Sequence, residues 1–535
     1  MWNSLQVVFM YLLAHELNLP MQFIQGKDRD QSVLFPQTLN QIIDGEHEVR
    51  VIDSFINSIQ IEDYDFKVKS SFEGRPSYDP KDLLKLFLYG YLNRIRSSRA
   101  LEKECYRNIE VMWLLKDLAP DHNTISNFRR DNPVAIKKLF RYTVSIAKNF
   151  DLIGGALVAG DSTKLRAQNS KKNNFNPSKL EKHIAYIDAK LDEYTEALSD
   201  ADGDTKAQEE IEKNIAKHSK QRGKYVRMQI ELEASGDTQI STSDPDSRQM
   251  ITRNNITEVA YNVQTVVDAK HCIPIEYKVT NQNDSKAMGD MVERTAEILG
   301  STDFVALYDK GYHTGSEFKT AFDLGLDVLV AIPEVASNAP DIRFNVSEFV
   351  YNKEEDVFIC PAHQTLSSNG NWYKKDRGKS INRMKQYKTS QCKECPFRTQ
   401  CTTNPKGRII ERSEFADYID LNRLNVEQEK ECYRRRQAIV EHPYGTIKRQ
   451  WGFDYITTKR TLKRAAADVG FIFVAYNFRR ILNIVGKKVF KEFLEKLAFD
   501  FLQFLNPYKL IQSFLSHPIF SKNNPNFFSS LRHIA

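Results

Sequence analysis

Residues 303–333 constrain the fold of this chain more than any other stretch. They read as a short apolar run, a polar loop, an amphipathic segment and a second apolar run, "DFVALYDKGYHTGSEFKTAFDLGLDVLVAIP". A strand, a loop, a helix and a second strand in this order form a βαβ unit. The chain is therefore predicted to contain an α/β domain with helices packed on a sheet.

A second run of strands is predicted at residues 256–281, where apolar and polar residues alternate, break at "DAKH" and resume. Ala156 to Ala159 fit a short buried strand, with Asp161 at or near its C-terminal end. By contrast, residues 177–235 carry apolar residues at heptad spacing around a polar break. This pattern predicts a helical hairpin inserted into another domain.

Residues 40–150 read as mostly helical. Within them, "APDHNTISNFRRDNP" predicts a turn and a short helix that ends in Arg129 and Arg130, the outline of a helix-turn-helix. This outline fits DNA binding, and it also fits an ordinary helical bundle. With 535 residues, 41% of them hydrophobic and 27% charged, the chain is long enough for several globular domains.

Three carboxylates stand out by their position. Asp161 and Asp309 each follow a buried apolar run, and Glu441 follows an apolar triplet in a helical region. A carboxylate in such a place is costly unless it is paired or binds a cation. Converging carboxylates would repel one another unless Mg²⁺ or Mn²⁺ lay between them, and two such ions can promote phosphodiester chemistry. The alternative for each acid alone is a cap on a turn or helix.

Positive charge is concentrated near the third acid. The net charge of the chain is +6, but residues 434–464 contain nine Lys or Arg and only two acidic residues. A basic block suits a polyanion such as DNA, although a solvated helix face would look the same.

No apolar stretch is long enough to span a membrane and no nucleotide-binding loop is present, so neither a membrane nor a nucleotide cofactor is expected.

Four cysteines, Cys360, Cys392, Cys395 and Cys401, lie in one polar segment. The CxxC spacing of the middle pair suits one half of a tetrahedral Zn²⁺ site. Because the segment has little apolar sequence from which to build a core, bound zinc could supply the missing stability. His363 is an alternative ligand to Cys360, and four unligated cysteines are the other alternative.

Three motifs resemble the signatures of the DDE transposases of bacterial insertion sequences: "GDSTKLRAQNS" (160–170), "YDKGYHTGSEF" (308–318) and "VEHPYGTIKRQWG" (440–452). The N-terminal "RPSYDPKDLLKLFLYGYLNRIRSSRALEKEC" (75–105) and "PDHNTISNFRR" (120–130) resemble the helical N-terminal domain of the same family. The similarity extends over residues 21–485, nearly the whole chain.

The resemblance implies an α/β fold, with an RNase-H-like mixed sheet flanked by helices. It implies a transposase that cleaves DNA at transposon ends and transfers the 3′-hydroxyl into target DNA. Asp161, Asp309 and Glu441 would be its catalytic residues and would bind two Mg²⁺ or Mn²⁺ ions. The cysteine cluster also resembles one that family members carry before the Glu, which supports a structural zinc site.

The family also shows a tyrosine, an arginine and a lysine around its Glu. Lys448 stands at the lysine position and is expected to contact a phosphate. The arginine position is occupied by Gln437 and the tyrosine position by Arg434, so this chain departs from the pattern there. The neighbouring Tyr433 and Arg436 are the candidates to replace the missing pair.

The implied partners are the terminal inverted repeats and target DNA, held by a homodimer in a synaptic complex in the bacterial cytoplasm. The residues expected to contact DNA are Arg129, Arg130, Arg434, Arg436, Lys448, Arg449, Lys459 and Arg460. The alternative functions are a non-catalytic DNA-binding protein descended from a transposase and a metal-dependent nuclease without strand transfer.

The predicted organisation has six parts. They are an extension outside the resemblance (1–20), a helical DNA-binding domain (21–150), a catalytic domain in three pieces (151–176, 250–345 and 405–485), a helical-hairpin insertion (177–249), a zinc-binding insertion (346–404) and a C-terminal tail (486–535).

Pro443 follows Glu441 by two places, where it would lack an amide donor and clash with the carbonyl of Ile439 inside a helix. We therefore predict a kink or a new helix start just after Glu441, with Tyr444 and Gly445 in its first turn.

Overall fold

The computed structural model describes residues 38–67, 76–252, 256–334, 339–376 and 381–504. The chain divides into two units, residues 1–44 and residues 45–535. The described part of the first unit contains helix α1 (Leu39–Ile42). Everything below belongs to the second unit. The predicted N-terminal extension and most of the predicted C-terminal tail lie outside the described residues.

The predicted helical region is confirmed. Its described helices are α2 (Glu48–Asn57), α3 (Pro80–Leu92), α4 (Ser98–Arg107), α5 (Ile109–Leu115), α6 (His122–Asp131) and α7 (Pro133–Asn149). Local sequence explains two of the helix starts. Asp79 accepts a hydrogen bond from the amide of Lys81 in front of Pro80, and Asp121 caps α6 in the same way.

The central sheet contains β1 (Leu157–Arg166), β4 (Arg248–Ile251), β5 (Thr257–Asp268), β6 (Ile273–Thr280), β7 (Val305–Tyr308) and β8 (Asp327–Val330). Its order is β4-β5-β1-β7-β8, and β6 also pairs with β5. The pairs β1–β5, β5–β6 and β4–β5 are antiparallel, whereas β1–β7 and β7–β8 are parallel. The predicted βαβ unit is confirmed, because helix α11 (Gly315–Asp323) connects β7 to β8.

Further helices accompany the sheet. They are α10 (Met288–Leu299), α13 (Ala416–Gln428), α14 (Lys430–Arg434), α15 (Arg436–Tyr444), α16 (Leu462–Val485) and α17 (Lys487–Phe504). Helix α16 is largely buried and joins the sheet to the helical region, as shown by Phe87 of α3 stacking on Phe471 with ring centroids 4.6 Å apart. Among the described residues, no single helix is long and apolar enough to cross a membrane.

The predicted helical hairpin is confirmed as α8 (Pro177–Asp200) and α9 (Thr205–Ser235). At its base, the short strands β2 (Asn174–Phe175) and β3 (Ile240–Ser241) pair with each other. A small apolar cluster that includes Phe175, Leu180 and Met228 holds the two helices together at this end.

The cysteine-bearing segment forms a second sheet, which the sequence did not predict. Its strands are β9 (Val350–Asn352), β10 (Val357–Ile359), β11 (Thr365–Ser368), β12 (Tyr373–Asp376), β13 (Ile381–Lys388) and β14 (Ile410–Ser413), and a short helix, α12 (Arg398–Cys401), precedes β14. Phe349, Phe358, Leu366, Tyr387 and Ile410 form a core of its own. The expectation of little apolar core is therefore wrong, because aromatic residues spread along the segment converge when the strands pair.

The prediction of a helix break just after Glu441 is also wrong. Helix α15 continues through Pro443 to Tyr444, and a π-helical segment follows directly at Gly445–Gln450. A π-helical turn is wider than an α-helical turn and commonly relieves a disrupted hydrogen-bond ladder. The change in helical geometry expected from Pro443 thus lies on its C-terminal side, and not between Glu441 and Pro443.

Candidate active site

Asp161 and Asp309 occupy matching positions on neighbouring strands. Strands β1 and β7 pair in parallel from Leu157 with Val305 to Ala159 with Leu307, an offset of 148 residues. Asp161 and Asp309 continue the same offset two positions further on. Register partners on adjacent strands lie about 5 Å apart. The fold therefore brings the two predicted aspartates to one edge of the parallel pairing.

The residues that precede the two aspartates are in direct contact. Tyr308 is buried, and its ring lies against Gly160 so closely that a Cβ at position 160 would overlap it. A glycine is thus required immediately before Asp161. The "GD" and "YD" pairs of the two motifs fit together as one packing unit.

One expectation about Asp161 is corrected. The sequence suggested that it ends its strand, but β1 continues to Arg166 because its antiparallel pairing with β5 extends that far. Asp161 lies in the middle of β1, opposite Thr265 of β5. What ends near Asp161 is the parallel pairing with β7; beyond it Lys448 contacts Thr163 and Lys164, and Arg166 pairs with Tyr455.

The surroundings of Asp161 disfavour its ionised form. Burial raises the pKa of Asp161 to about 6, and the nearby carboxylates of Asp309 and Asp284 add to the increase. The Arg436 guanidinium and the amide of Ser162 act in the opposite direction. The Ser162 amide donates to Oδ1 at 2.7 Å, whereas Arg436 Nη1 lies 3.4 Å from Oδ2. A desolvated carboxylate with such weak neutralisation is suited to a bound cation.

Helix α15 is fixed to Asp161 at both of its ends. At its N-terminal end, Arg436 reaches the Asp161 carboxylate. At its C-terminal end, the Tyr444 hydroxyl donates to the backbone oxygen of Asp161 at 3.1 Å and also contacts the Thr265 hydroxyl. Between these anchors, Ile439 and Val440 pack on the sheet.

Two residues of the apolar triplet before Glu441 pack on the sheet, whereas the first, Ala438, is exposed. Ile439 and Val440 share one buried cluster with residues from four strands of the sheet: Ala159, Val267, Leu307 and Leu329. Just before α15, the Tyr433 hydroxyl donates to the carbonyl of Tyr308 at 3.1 Å. Tyr433 and Arg436 thus each approach one of the two aspartate positions, which fits their predicted part as replacements in the family pattern.

Glu441 lies between the two anchors of α15, but its side chain is exposed. Gln437 donates to Glu441 Oε1 at 2.8 Å, one turn earlier on the helix. Asp309 is half-buried and caps its own turn by accepting from the Gly311 amide at 2.8 Å. In the described parts of the chain, no three His, Cys, Asp or Glu side chains are close enough to hold a metal ion together. Helix α15 is anchored beside Asp161, but it does not place the Glu441 carboxylate in a ligand cluster with the two aspartates.

A fourth acid, Asp284, was missed at the sequence level. It follows β6 and accepts hydrogen bonds at 2.7 Å from both Asn262 and Gln264 of β5. Two features of the sequence could have indicated Asp284. It follows a strand in "KVTNQND", as Asp309 follows its strand, and the polar Asn262 and Gln264 interrupt one face of an otherwise apolar strand.

The predicted phosphate contact, Lys448, lies along β1. Its ammonium donates to the Thr163 hydroxyl at 2.9 Å, two residues beyond Asp161. Together with Lys164, Arg166 and Arg449 it lines a groove of about 540 Å³ beside residues 162–166 of β1. The groove is mainly basic, with Glu258 and Asp454 as its acidic members.

Arg129 is a correction among the residues predicted to contact DNA. Its guanidinium is buried and donates to the Tyr91 hydroxyl at 3.0 Å and to Asp468 at 3.3 Å. Asp468 is itself fully buried on α16 and accepts a second guanidinium, from Arg96, at 2.6 Å. A buried carboxylate of this kind requires such partners, so Arg129 holds the helical region on α16 and is not available to DNA in this structure.

The other predicted DNA contacts are at the surface. Arg130 pairs with Asp131, and Arg434 pairs with Glu431 at an exposed site. Lys459 and Arg460 are exposed in the loop before α16. These residues are accessible, but the structure does not gather them into the aspartate edge.

The four predicted zinc ligands line one small cavity in the second sheet region, with Arg398 and Arg408 beside them. Their mutual proximity raises the pKa of the Cys401 thiol, after the larger effect of burial, and Arg408 opposes both. The Gln364 amide donates to Cys360 Sγ at 3.3 Å. His363, the alternative ligand, lies on the turn after Cys360 with a positive φ of 56°. Cys360 lines the cavity, whereas His363 does not.

Two family models match this chain. Residues 37–131 match a model described as "Transposase domain (DUF772)", and residues 359–482 match one described as "Transposase DDE domain". No curated protein matches. A solved structure titled "Cryo-EM structure of piggyBac transposase synaptic complex with hairpin DNA (SNHP)" is 10% identical, with 91% of this chain and 81% of that chain covered. Its TM-score of 0.25 is too low to support any argument about the fold.

The two matched segments include the N-terminal motifs and the Glu441 motif, whereas the motifs of Asp161 and Asp309 lie outside both. The first segment spans α1 to α6, and the second runs from the cysteine-bearing sheet through Glu441 into α16. The two matched domains support a DDE transposase.

Proposed function

We propose that Asp161, Asp309 and Glu441 form the acidic site at which this transposase cleaves transposon ends and joins them to target DNA. The observation that carries the proposal is the meeting of the three motifs at one place. Asp161 and Asp309 share a register on adjacent strands, and the helix that bears Glu441 is anchored to Asp161 at both ends. Binding of metal and DNA would have to bring the Glu441 carboxylate to the two aspartates.

The strand order supports an RNase-H-like arrangement. Three antiparallel strands, β6, β5 and β1, continue into the parallel strands β7 and β8, with helices packed on the sheet. In this arrangement the first acid lies on the first strand, the second follows the parallel strand beside it, and the third lies on a later helix. The positions of Asp161, Asp309 and Glu441 are consistent with this order.

The residues present fit a divalent cation. Asp161 is desolvated, and the closest cationic group, the Arg436 guanidinium, is too distant for a strong hydrogen bond. Oxygen ligands from carboxylates are those that Mg²⁺ and Mn²⁺ prefer. Two such ions, when bound, would polarise the phosphodiester, activate the attacking water or 3′-hydroxyl and stabilise the leaving oxygen.

The chain's own side chains account for the handling of DNA. Lys448, Lys164 and Arg449 line one groove that begins at Ser162, the residue after Asp161, and their charges would bind a phosphate backbone there. Arg436 lies beside the Asp161 carboxylate and would turn to the substrate phosphate once the carboxylate binds metal. Arg130, Arg434, Lys459 and Arg460 would add contacts further from the site.

The remaining proposals follow from the family. Two ends must be joined, so a homodimer would assemble with the terminal repeats and target DNA in the bacterial cytoplasm. The four cysteines would bind one structural Zn²⁺, which is supported by their position around one cavity. The four thiolates would have to move closer together to coordinate the ion.

The test is cleavage of duplex DNA taken from the flanks of the gene, with the three variants Asp161→Asn, Asp309→Asn and Glu441→Gln. We expect each to lower Mg²⁺-dependent cleavage by at least about a hundredfold, because each removes a charged metal ligand while keeping the shape of the side chain. Glu431→Gln and Asp303→Asn are matched controls, since both acids are exposed and lie near the site in sequence only.

Three outcomes separate the candidate functions. Cleavage and joined products, both lost in the variants, support the transposase mechanism. Cleavage without joining, when a 3′-hydroxyl end and target are supplied, indicates a nuclease. DNA binding that is equal in the wild type and the variants, with cleavage in neither, indicates a non-catalytic binding protein.

A further inference from the structure

Asp284 lies between β6 and α10, in a single 3₁₀ turn (Asp284–Lys286) beside the proposed site. Its Oδ1 atom accepts from Asn262 Nδ2 and from Gln264 Nε2, each at 2.7 Å. Its Oδ2 atom lies 3.1 Å from Lys164 Nζ. Both amide side chains are almost completely buried, and the Asp284 carboxylate is an acceptor for each of them, with the Gln282 carbonyl as a second acceptor for Asn262.

The carboxylate is connected to the turn that carries Asp309. Gln264, which donates to Asp284, accepts through its own oxygen from the Tyr312 hydroxyl. Tyr312 is fully buried and lies three residues after Asp309. Asp284 also lies close to Gly311 of the same turn, because a Cβ atom at position 311 would be 3.8 Å from the Asp284 Cβ.

The carboxylate is equally connected to the strand that carries Asp161. Lys164 Nζ bridges Asp284 and the Ser162 hydroxyl, at 3.1 Å and 3.0 Å. Ser162 is the neighbour of Asp161, and its amide supports the Asp161 carboxylate. Asp284 therefore touches neither proposed ligand directly but bonds to the supports of both.

The network favours an ionised Asp284. Burial acts to raise its pKa, but the Lys164 ammonium and the hydroxyl and amide donors outweigh burial, so the pKa is held below its usual range. An anionic carboxylate with several fixed donors forms a rigid junction, because charge-assisted hydrogen bonds are short and directional.

We propose that Asp284 is a positioning residue that sets the placement of Asp161 relative to Asp309 and holds Lys164 at the mouth of the DNA groove. The inference rests on the proposed function, since it assumes that the two aspartates bind metal. Asn at position 284 keeps an oxygen that can accept from Asn262 and Gln264, but it replaces the Oδ2 atom that holds Lys164 with an amide donor. Lys164 is then released, and the network that connects β1 to the Asp309 turn is weakened.

The test measures binding of Mn²⁺ alone to the full chain, from the paramagnetic resonance signal of the free ion, alongside the Mg²⁺ dependence of cleavage. In Asp284→Asn we expect at least about a tenfold loss of Mn²⁺ affinity, the size typical for groups that orient metal ligands. Cleavage should recover as Mg²⁺ is raised. Asp290→Asn is the matched control, because Asp290 also accepts from a lysine and an arginine nearby but has no bond to the site.

A second variant guards against a folding defect in the first. Tyr312→Phe removes only the hydroxyl that ties the Asp309 turn to Gln264, and it should weaken Mn²⁺ binding in the same direction by a smaller factor. Wild-type Mn²⁺ affinity in Asp284→Asn, or an equal loss in Asp290→Asn, would overturn the positioning role. If Asp161→Asn leaves Mn²⁺ binding unchanged, the proposed metal site is wrong and this inference falls with it.

Discussion

Asp161 is a carboxylate on a central strand of a buried sheet, where burial opposes its ionised form. Its neighbours provide one amide donor and a distant guanidinium, while two further carboxylates lie close enough to raise its pKa. Without metal, ionisation of the Asp161 side chain therefore lowers the stability of the fold. A bound cation would remove that cost, which links metal binding to stability at this residue.

This linkage predicts a pH dependence of the metal-free protein. The pKa of Asp161 is about 6 in the fold, against 3.8 for the unperturbed side chain. A raised folded pKa means that stability is fully present below pH 3.8 and is lost as the pH rises through 6. Above that pH the metal-free Asp161→Asn variant should exceed the wild type in stability by up to about 3 kcal/mol, and the gain should disappear towards pH 4.

Thermal melting of both proteins at pH 4.5 and pH 8, without added divalent metal, measures this difference. Asp303→Asn is the control, because Asp303 is exposed and should show no pH-dependent gain. A stability difference between Asp161→Asn and the wild type that is the same at both pH values would contradict the account.

At single residues, the sequence singled out the three acids because each follows an apolar run, and the fold places two of them, Asp161 and Asp309, in one register. It could not predict that Arg129 is buried, since an arginine at the end of a basic helix looks the same whether it faces DNA or a buried aspartate 339 residues away. Asp284 was missed for a related reason. Its importance depends on Asn262 and Gln264, and their common partner appears only when β5 and β6 pair.

At the level of elements, periodicity predicted the helices of residues 40–150, the helical hairpin and the βαβ unit, because each pattern is local. The second sheet was not predicted, since its strands are short and its core is assembled from widely spaced aromatic residues. The helix break at Pro443 was misplaced for a physical reason as well. Anchors on both sides of Glu441 hold α15 continuous, and the irregular turn is displaced to Gly445–Gln450.

The second sheet carries a prediction about zinc. We expect about one Zn²⁺ per chain in purified protein, because four thiols line one cavity, and we expect Cys392→Ser to lose it. Loss of the metal should lower the melting temperature, although the aromatic core should preserve part of the sheet. Cys272→Ser is the control, since Cys272 lies on the other sheet and should retain zinc. Elemental analysis that finds no zinc in the wild type would refute this site.

At the scale of the whole molecule, helix α16 connects the parts. It packs on α7, α3 and the sheet, and its buried Asp468 binds arginines from the helical region. The helical region and the central sheet thus belong to one unit, and DNA held by one would be placed with respect to the other. Sequence alone could not show this arrangement, because the helices that form the shared core are more than 300 residues apart.

The most direct test of the central claim is a strand-joining measurement with a pre-cut transposon end. A 3′-hydroxyl end, a plasmid target, Mg²⁺ and the wild-type protein should give a covalently joined product, and a 3′-dideoxy end should give none. Glu441→Gln should abolish joining and also cleavage of an uncut end, because both steps use the same acidic site. Joined product formed at the wild-type rate by Glu441→Gln would contradict the assignment of Asp161, Asp309 and Glu441 as that site.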